Sequence, residues 1–370
     1  MSFFQPQARA APQRQAAEPQ HQPWVEKYRP KTIDDVSAQE HTVAVLRKTL
    51  TSSNLPHMLF YGPPGTGKTS TILALARQLF GPDNFRSRVL ELNASDERGI
   101  SIVREKIKNF ARQTPRAQVV ASDGKTYPCP PYKIIILDEA DSMTQDAQAA
   151  LRRIMETYAR ITRFCLVCNY VTRIIEPLAS RCSKFRFKPL DPTSTSSRLA
   201  EIAAAEKIPV TDAVISALIN TSHGDLRRSI TYLQSASRLS MSTTPPTDIT
   251  PSDIEEIAGV VRSSVINDFA TTLGVELVSA DAMDIDSSVK AKGFDAVRKI
   301  VKAIIRQGYS ASQIISQLHD LVIEHPTLSA RQKSQCALAF ADADKALCDG
   351  ADEELWILEV SLRVHKALST

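Results

Sequence analysis

The stretch GPPGTGKT, residues 62–69, follows a short apolar segment and precedes a pattern of helical periodicity, which is the setting that the sequence G-x-x-x-x-G-K-[ST] requires. Glycines in such a loop allow successive backbone N–H groups to face a phosphate, and the amino terminus of the following helix adds positive potential. Lys68 is predicted to contact the terminal phosphates, and the Thr69 hydroxyl to ligate Mg²⁺. The predicted phosphate-binding residues are Gly62, Gly65, Thr66, Gly67, Lys68 and Thr69.

A second apolar stretch, IIIL at residues 134–137, ends in Asp138 and Glu139. Acids at the carboxyl end of a buried strand lie beside the phosphate loop in parallel sheets. Asp138 is therefore predicted to hold Mg²⁺ and Glu139 to polarise the attacking water as general base, although a solvated acidic turn would contain the same residues. The chain has no Asn-Lys-x-Asp sequence of the kind that recognises guanine, so ATP is the expected nucleotide.

Strands and helices alternate in the first half of the chain, which predicts an α/β fold with a parallel sheet and helices on both faces. The predicted strands are 57–61, 89–92, 133–137 and 163–168, and the predicted helices are 69–80, 101–113 and 146–158. Strand patterns then fade, and the helical segments that follow are predicted at 195–206, 211–221 and 225–239.

The sequence divides into four parts. Residues 1–23 are rich in Gln, Ala and Pro and bury too little apolar surface to offset their ordering entropy, so they predict a disordered tail. Residues 24–190 form the predicted α/β module, which contains a surface insertion at 114–131. A small helical unit at 191–261 and an all-helical domain at 262–370 complete the chain.

The composition is that of a folded, soluble globular protein, with 43% hydrophobic and 23% charged residues. The net charge of +4 is divided unevenly. Residues 24–190 carry 26 Lys and Arg against 16 Asp and Glu, whereas residues 191–370 carry 17 against 24. A basic front half suits contact with phosphates, on a nucleotide or on a nucleic-acid backbone. No stretch approaches 18 apolar residues, so no membrane span is expected.

Six cysteines without a signal peptide predict reduced thiols rather than a disulfide framework. Cys165 and Cys168 have the spacing of a metal-binding or redox pair, but they lie in an apolar strand pattern with no second ligand pair. Residues three apart on a strand face opposite sides, so we interpret both cysteines as core residues.

Five short motifs add a family resemblance. They are WVEKYRP at 24–30, LNASDERG at 92–99, CNY at 168–170, SRC at 180–182 and GDLRR at 224–228. With the phosphate loop, this set resembles the AAA+ ATPases, and within them the small subunits of replication factor C, the eukaryotic sliding-clamp loader. The resemblance is strong over residues 24–240 and weak beyond. It implies an AAA+ P-loop module, a small helical lid at 191–261 and an all-α collar domain at 262–370 that joins subunits.

The resemblance also implies roles for single residues. Asn169 is expected to orient the water near the γ-phosphate, Arg227 to reach the phosphates from the lid, and Arg181 to enter the neighbouring subunit's ATP site as an arginine finger. An asparagine that caps a strand end and an exposed lid arginine are the alternatives for the first two. The implied adenine-binding residues are Val25, Tyr28, Arg29 and Pro30. The implied catalytic set is Glu139, Lys68, Asn169 and, in trans, Arg181.

Arg98, Arg104 and Lys108 lie on or just before one predicted helix, where they share a side and fit contact with a DNA phosphate backbone. A solvated basic face balanced by Glu97 and Glu105 is the alternative. The family implies ATP and Mg²⁺ as cofactors and a nuclear location. It also implies other loader subunits, a ring-shaped clamp and primer-template DNA as partners in replication and repair.

Two other functions share these motifs. A hexameric AAA+ DNA motor would have the same phosphate loop, acids and arginine finger, and a structural subunit would bind ATP without hydrolysing it. The SRC sequence and the long helical collar favour a heteropentameric loader. Lys68, Asp138 and Glu139 favour hydrolysis over structural binding.

Overall fold

The computed structural model describes residues 22–36, 39–51, 55–95, 100–114, 126–242, 248–275 and 294–369. Most of the predicted tail and of the predicted insertion lies outside these ranges. The first of two compact units comprises the described residues up to Ile202 together with Gly224–Thr231. The second comprises Ala203–His223 and the described residues from Tyr232 onward. The phosphate loop and the GDLRR segment therefore lie in the same unit.

A parallel sheet forms the centre of the first unit. Its strands are β1 (Met58–Tyr61), β2 (Val89–Asn93), β3 (Lys133–Asp138), β4 (Thr162–Cys168) and β5 (Ser183–Arg186). Their order is β2-β3-β4-β1-β5, so β1 pairs with both β4 and β5. The sheet confirms the predicted α/β fold class, and the first four strands have bounds within one residue of those predicted.

β5 has no counterpart among the strands predicted from the sequence. Its four residues, SKFR, are exposed except for the half-buried Phe185. A short strand at the margin of a sheet lacks the apolar run that identifies a buried strand. β5 forms because the chain after the SRC segment pairs with the backbone of β1, a long-range contact that leaves no local sequence pattern.

Helices cover both faces of the sheet, as predicted. In the first unit they are α1 (Trp24–Lys27), α2 (Glu40–Thr51), α3 (Lys68–Arg88), α4 (Ile100–Arg112), α5 (Gln145–Tyr158), α6 (Glu176–Ala179) and α7 (Pro192–Ala205), whose last residues belong to the second unit. The range of α3 comprises two helical segments, and the first ends at Phe80 as predicted, whereas the second was not predicted. The chain resumes helical geometry after Gly81, whose φ of 69° interrupts the helix just before Pro82.

The core of the first unit consists of two clusters, one on each face of the sheet. On β4, Cys165 and Val167 pack on the α3 side, whereas Phe164, Leu166 and Cys168 pack on the α5 side. Burial raises the pKa of both thiols, to about 12 for Cys168. The interpretation of the two cysteines as core residues on opposite faces is confirmed.

The described part of the second unit is helical, as predicted. Its helices are α8 (Asp212–Ser222), α9 (Leu226–Ser242), which begins in the first unit, α10 (Pro251–Ala258), α11 (Ser263–Leu273), α12 (Phe294–Arg306), α13 (Ala311–Glu324), α14 (Ala330–Cys348) and α15 (Glu353–Ser369). The last five helices share one apolar core, which includes Phe269, Val301, Leu318, Phe340 and Val364. Among the described residues, no helix combines the length and apolar character that a membrane crossing requires.

His57, just before β1, links the stability of the first unit to pH. The backbone N–H of Phe164 donates to Nδ1 of His57 at 3.1 Å, so the neutral ring carries its proton on Nε2. Burial, and secondarily the charge of Arg163, lowers the pKa of His57 from 6.5 to about 4. Because the folded-state pKa lies below the unfolded-state one, the neutral ring stabilises the fold fully above pH 6.5 and loses that contribution as the pH falls to about 4.

We expect His57 to lower the free energy of unfolding by up to about 3 kcal/mol as the pH falls through this window, measured by urea unfolding at a series of pH values. His57→Asn retains an acceptor for the Phe164 N–H but cannot take up a proton. The free energy of unfolding of His57→Asn should therefore not show the decrease between pH 6.5 and about 4 that His57 causes. Identical pH profiles for the variant and the unaltered chain would contradict the assignment.

Candidate nucleotide-binding site

The phosphate loop leaves the carboxyl end of β1, and the loops after β3 and β4 leave the same edge of the sheet. Gly65 and Gly67 have φ values of 70° and 87°, in the left-handed region that glycine adopts without strain. A Cβ at Gly62 would lie 2.2 Å from the carbonyl oxygen of Phe187. The loop geometry therefore requires glycine at each of these three positions.

Lys68, at the start of α3, makes hydrogen bonds to two loops. Its Nζ donates to the carbonyl oxygens of Gly62 at 2.8 Å and Pro63 at 2.7 Å, and to Oδ1 of Asn169 at 2.9 Å. Lys68 is only 7% exposed; burial lowers its pKa, and the carboxylate of Asp138 opposes the shift. The predicted phosphate ligand and the predicted water-orienting asparagine are therefore in direct contact.

The predicted metal ligands are also in contact. The Thr69 hydroxyl donates to Oδ2 of Asp138 at 2.8 Å. Hydroxyl and carboxylate oxygens are hard donors of the kind that Mg²⁺ takes in phosphoryl-transfer sites, so this pair fits the metal. Two oxygens already within hydrogen-bond distance could ligate one ion with little rearrangement.

Glu139 follows Asp138 in a left-handed backbone conformation, with a φ of 51°. Its N–H donates to Oδ1 of Asp138 at 2.9 Å, which ties the turn to the end of β3. The residue is exposed and lines the same cavity as Lys68. A carboxylate that is open to water beside a phosphate loop can accept a proton from an attacking water molecule.

A cavity of about 190 Å³ lies between the phosphate loop and the amino-terminal segment of the first unit. The predicted site residues that line it are Val25, Tyr28, Arg29, Pro30, Gly65, Thr66, Gly67, Lys68, Thr69, Asp138, Glu139, Asn169 and Arg227. Gly62 starts the loop but does not line the cavity. Arg29 contacts α3, since its Nε donates to Oγ of Ser70 at 3.4 Å. The residues predicted to bind adenine and those predicted to bind phosphate therefore surround one space.

The GDLRR segment approaches the phosphate loop. Oδ1 of Asp225 accepts the backbone N–H groups of Arg227 at 2.9 Å and Arg228 at 3.3 Å, and so caps the start of α9. A Cβ at Gly65 would lie 1.9 Å from the same oxygen. Asp225 thus positions Arg227 beside the loop, and it precedes the helix, whereas the sequence pattern predicts it as the first helical residue.

Arg198, on α7, is a cavity residue that the sequence analysis missed. Its Nη2 donates to the carbonyl oxygen of Tyr28 at 3.1 Å, and its Nη1 pairs with Glu201 at 2.8 Å. The contact joins α7 to the segment that is predicted to bind adenine. A single arginine in an amphipathic helix gives no sequence signal for such a contact.

Arg181 lies outside this cavity, shortly after α6. Its Nη2 is 2.6 Å from Oε1 of Glu156, and its Nη1 donates to the carbonyl oxygen of Pro177 at 2.6 Å. The side chains of Arg181 and Glu156 are 40% and 46% exposed. An arginine in this place does not reach the cavity of its own chain and is accessible to a second protein.

The three predicted DNA-binding residues are described only in part. Arg98 lies outside the described residues, and the side chain of Arg104 lies outside the described side chains. Lys108 is exposed on α4. Contact between these residues and a phosphate backbone therefore stays a prediction.

Three family models match consecutive parts of the sequence. The model "ATPase family associated with various cellular activities (AAA)" matches residues 58–190. The model "RCF1/5-like, AAA+ ATPase lid domain" matches residues 197–238, and "Replication factor C C-terminal domain" matches residues 279–363. The three matches follow one another along the chain in the same order as the predicted module, lid and collar.

Several relatives resemble the chain over nearly its whole length. Replication factor C subunit 2 of Schizosaccharomyces pombe is 53% identical over 97% of this chain and 98% of its own. Replication factor C subunit 2 of Saccharomyces cerevisiae is 52% identical over 93% of each chain. Replication factor C subunit 4 of Homo sapiens is 53% identical over 94% of this chain and 89% of its own. The likeness is therefore not confined to the nucleotide-binding module.

Gly65→Ala is expected to weaken nucleotide binding by roughly tenfold or more, because the added methyl group must displace Asp225 and strain a left-handed backbone. Titration of the full chain with a fluorescent ATP analogue measures this effect. Gly350→Ala is the matched control, since Gly350 also has a positive φ, of 89°, but has nothing within 4 Å of the added Cβ. Equal affinities for Gly65→Ala and the unaltered chain would contradict the assignment.

Proposed function

Because this chain belongs to the replication factor C subunits of the AAA+ ATPases, we propose that it binds and hydrolyses ATP as one subunit of a heteropentameric clamp loader. The assembly opens a ring-shaped sliding clamp and loads it onto primer-template DNA during replication and repair in the nucleus. One observation carries the proposal: Lys68, Asn169 and the Thr69–Asp138 pair meet at a single cavity.

The residues of the cavity suit a nucleotide with its metal. Thr69 and Asp138 would hold Mg²⁺, which neutralises charge on the β- and γ-phosphate oxygens when bound. Lys68 brings an ammonium group with three hydrogen-bond donors to the phosphate loop. Its present acceptors are uncharged oxygens of Gly62, Pro63 and Asn169, and a phosphate oxygen is a stronger acceptor for an ammonium donor than any of these.

Hydrolysis needs a group that accepts the proton of water and a group that orients the water. Glu139 is the proposed general base, because it is exposed at the cavity and lies next to the proposed metal ligand Asp138. Asn169 is proposed to orient the attacking water, and Arg227 to bind phosphate from the start of α9. Val25, Tyr28, Arg29 and Pro30 are the proposed adenine contacts.

Arg181 is proposed to act in trans, at the ATP site of a neighbouring subunit. Its guanidinium is held by Glu156 and by a backbone carbonyl outside its own cavity. An exposed ion pair of this kind contributes about 1 kcal/mol or less, so exchange for a triphosphate of a neighbour is energetically easy. The guanidinium would then neutralise charge that develops on the transferred phosphoryl group.

The other parts of the chain have proposed roles in assembly and in DNA contact. The domain at residues 262–370 is the proposed collar, by which the subunits join. Arg98, Arg104 and Lys108 are proposed to contact the DNA backbone without reading its sequence, which suits a loader that acts at any primer end. The second half of the chain carries more acidic than basic residues and is poorly suited to bind DNA.

The two alternative functions are less well supported. The match to the replication factor C carboxyl-terminal domain favours a loader over a hexameric DNA motor. A structural ATP-binding subunit would not need a carboxylate such as Glu139 at the cavity beside Asp138. Removal of this carboxylate therefore distinguishes a hydrolysing subunit from a structural one.

Glu139→Gln is expected to leave nucleotide binding intact and to slow hydrolysis at this subunit's site by about 10²–10⁴-fold, the usual contribution of a general base. The measurement is single-turnover ATP hydrolysis by the assembled loader with DNA and clamp present. Asp146→Asn, at an exposed acid in the first turn of α5, is the matched control and should behave as the unaltered chain. Unchanged hydrolysis by Glu139→Gln would instead support the structural alternative.

Arg181→Ala is expected to leave ATP binding by this subunit unchanged and to slow hydrolysis at the adjacent site by about 10³–10⁵-fold. The measurement uses assemblies in which only that adjacent site retains its own general base. Arg181→Lys should restore little activity, because an ammonium group lacks the planar fork of guanidinium donors. Equal hydrolysis by the Arg181→Ala and unaltered assemblies would contradict the role in trans.

A further inference from the structure

Asp141 forms a bridge between the two loops that carry the proposed general base and the proposed water-orienting residue. It lies in a short 3₁₀ turn, Ala140–Ser142, directly after Glu139. Its Oδ2 accepts the backbone N–H of Asn169 at 3.2 Å and that of Tyr170 at 3.2 Å. One carboxylate oxygen thus attaches the turn after β3 to the loop after β4.

The turn that carries Asp141 is itself well anchored. The backbone N–H and the hydroxyl of Ser142 both donate to the carbonyl oxygen of Glu139, at 2.9 Å and 2.7 Å. The N–H of Glu139 donates to Asp138 at the end of β3. Glu139 and Asp141 therefore lie in one short turn that these hydrogen bonds close.

The loop after β4 is the other segment that Asp141 contacts. Asn169 and Tyr170 are exposed residues beyond the last residue of β4. The side chain of Asn169 contacts Lys68, and the carboxylate of Asp141 holds the backbone from which that side chain extends. Hydrogen bonds to a charged acceptor are stronger than those between neutral groups, so this contact can fix the loop.

We propose that Asp141 is a positioning residue for hydrolysis. It holds the backbone of Asn169, so that the Asn169 side chain keeps its position relative to Glu139 and Lys68. The role is indirect, because Asp141 is not among the described residues that line the cavity. The proposal rests on the proposed function of this site in ATP hydrolysis. It goes beyond that function because the contact of Asp141 keeps the turn after β3 and the loop after β4 in a fixed relative position.

The first test compares Asp141→Ala with Asp141→Asn in the assembled loader. Asp141→Ala should reduce the rate of hydrolysis at this site by roughly 10- to 100-fold, as small displacements of positioned groups do, with the dissociation constant for ATP unchanged. Asp141→Asn should recover part of the rate, because a neutral amide oxygen can still accept both N–H groups, although more weakly than a carboxylate. An Asp141→Asn rate as low as that of Asp141→Ala, or a full rate for Asp141→Ala, would overturn the proposal.

The second test is a double-mutant cycle with Asn169→Ala. If Asp141 acts through Asn169, adding Asp141→Ala to Asn169→Ala should cause no further loss of rate. Fully additive losses would overturn the proposal, since they would mean that Asp141 acts through another group.

The third test does not depend on catalysis. Amide hydrogen exchange of peptides that cover residues 166–173 in the full assembly should be roughly tenfold faster or more for Asp141→Ala, and should lie between that of Asp141→Ala and that of the unaltered chain for Asp141→Asn. Unchanged exchange in Asp141→Ala would overturn the proposal, since it would show that Asp141 does not hold the loop after β4. If Glu139→Gln left hydrolysis unaltered while exchange rose in Asp141→Ala, the proposed function would fail and the bridge would stand.

Discussion

The candidate site depends on a buried ammonium group that requires oxygen acceptors. Lys68 is nearly inaccessible to solvent, and an unpaired charge in such a place would be strongly destabilising. Its three acceptors come from two loops, the phosphate loop after β1 and the Asn169 loop after β4. The two loops meet because β1 and β4 are adjacent and parallel, so both end at the same edge of the sheet. The order of the strands thereby determines which chemical groups can act together.

The same strand order decides which charged groups reach the cavity and which do not. The loops at the carboxyl edge bring an ammonium group, two carboxylates, a hydroxyl and an amide to one cavity. Arg181 follows α6 and pairs with Glu156 of α5, away from this cavity. A site that lacks a guanidinium contributed by a neighbour would be slow in the isolated subunit. The proposed role of Arg181 in trans would couple hydrolysis to the assembly of the subunits.

Local patterns in the sequence predict the phosphate loop, the acids after β3 and the first four strands. Each of these lies within one continuous segment whose spacing and hydrophobicity carry the information. The contacts of Asp141 with Asn169 and of Arg198 with Tyr28 join residues that are 28 and 170 positions apart. They follow from which strands are neighbours and from how α7 packs, and neither is encoded in a local pattern. β5 is not predicted for the same reason: it is defined by backbone pairing with β1 and not by an apolar run in its own sequence.

The central claim is that the triphosphate lies between two subunits, each of which supplies groups that the other lacks. The most direct measurement is an experimental structure of the complete assembly with a non-hydrolysable ATP analogue, primer-template DNA and the clamp. Lys68, Asn169 and Arg227 are expected to contact the phosphates bound to this chain, and Arg181 is expected to have left Glu156 for the phosphates of the next subunit. An Arg181 guanidinium still paired with Glu156, or a nucleotide without contact to Lys68, would contradict this claim.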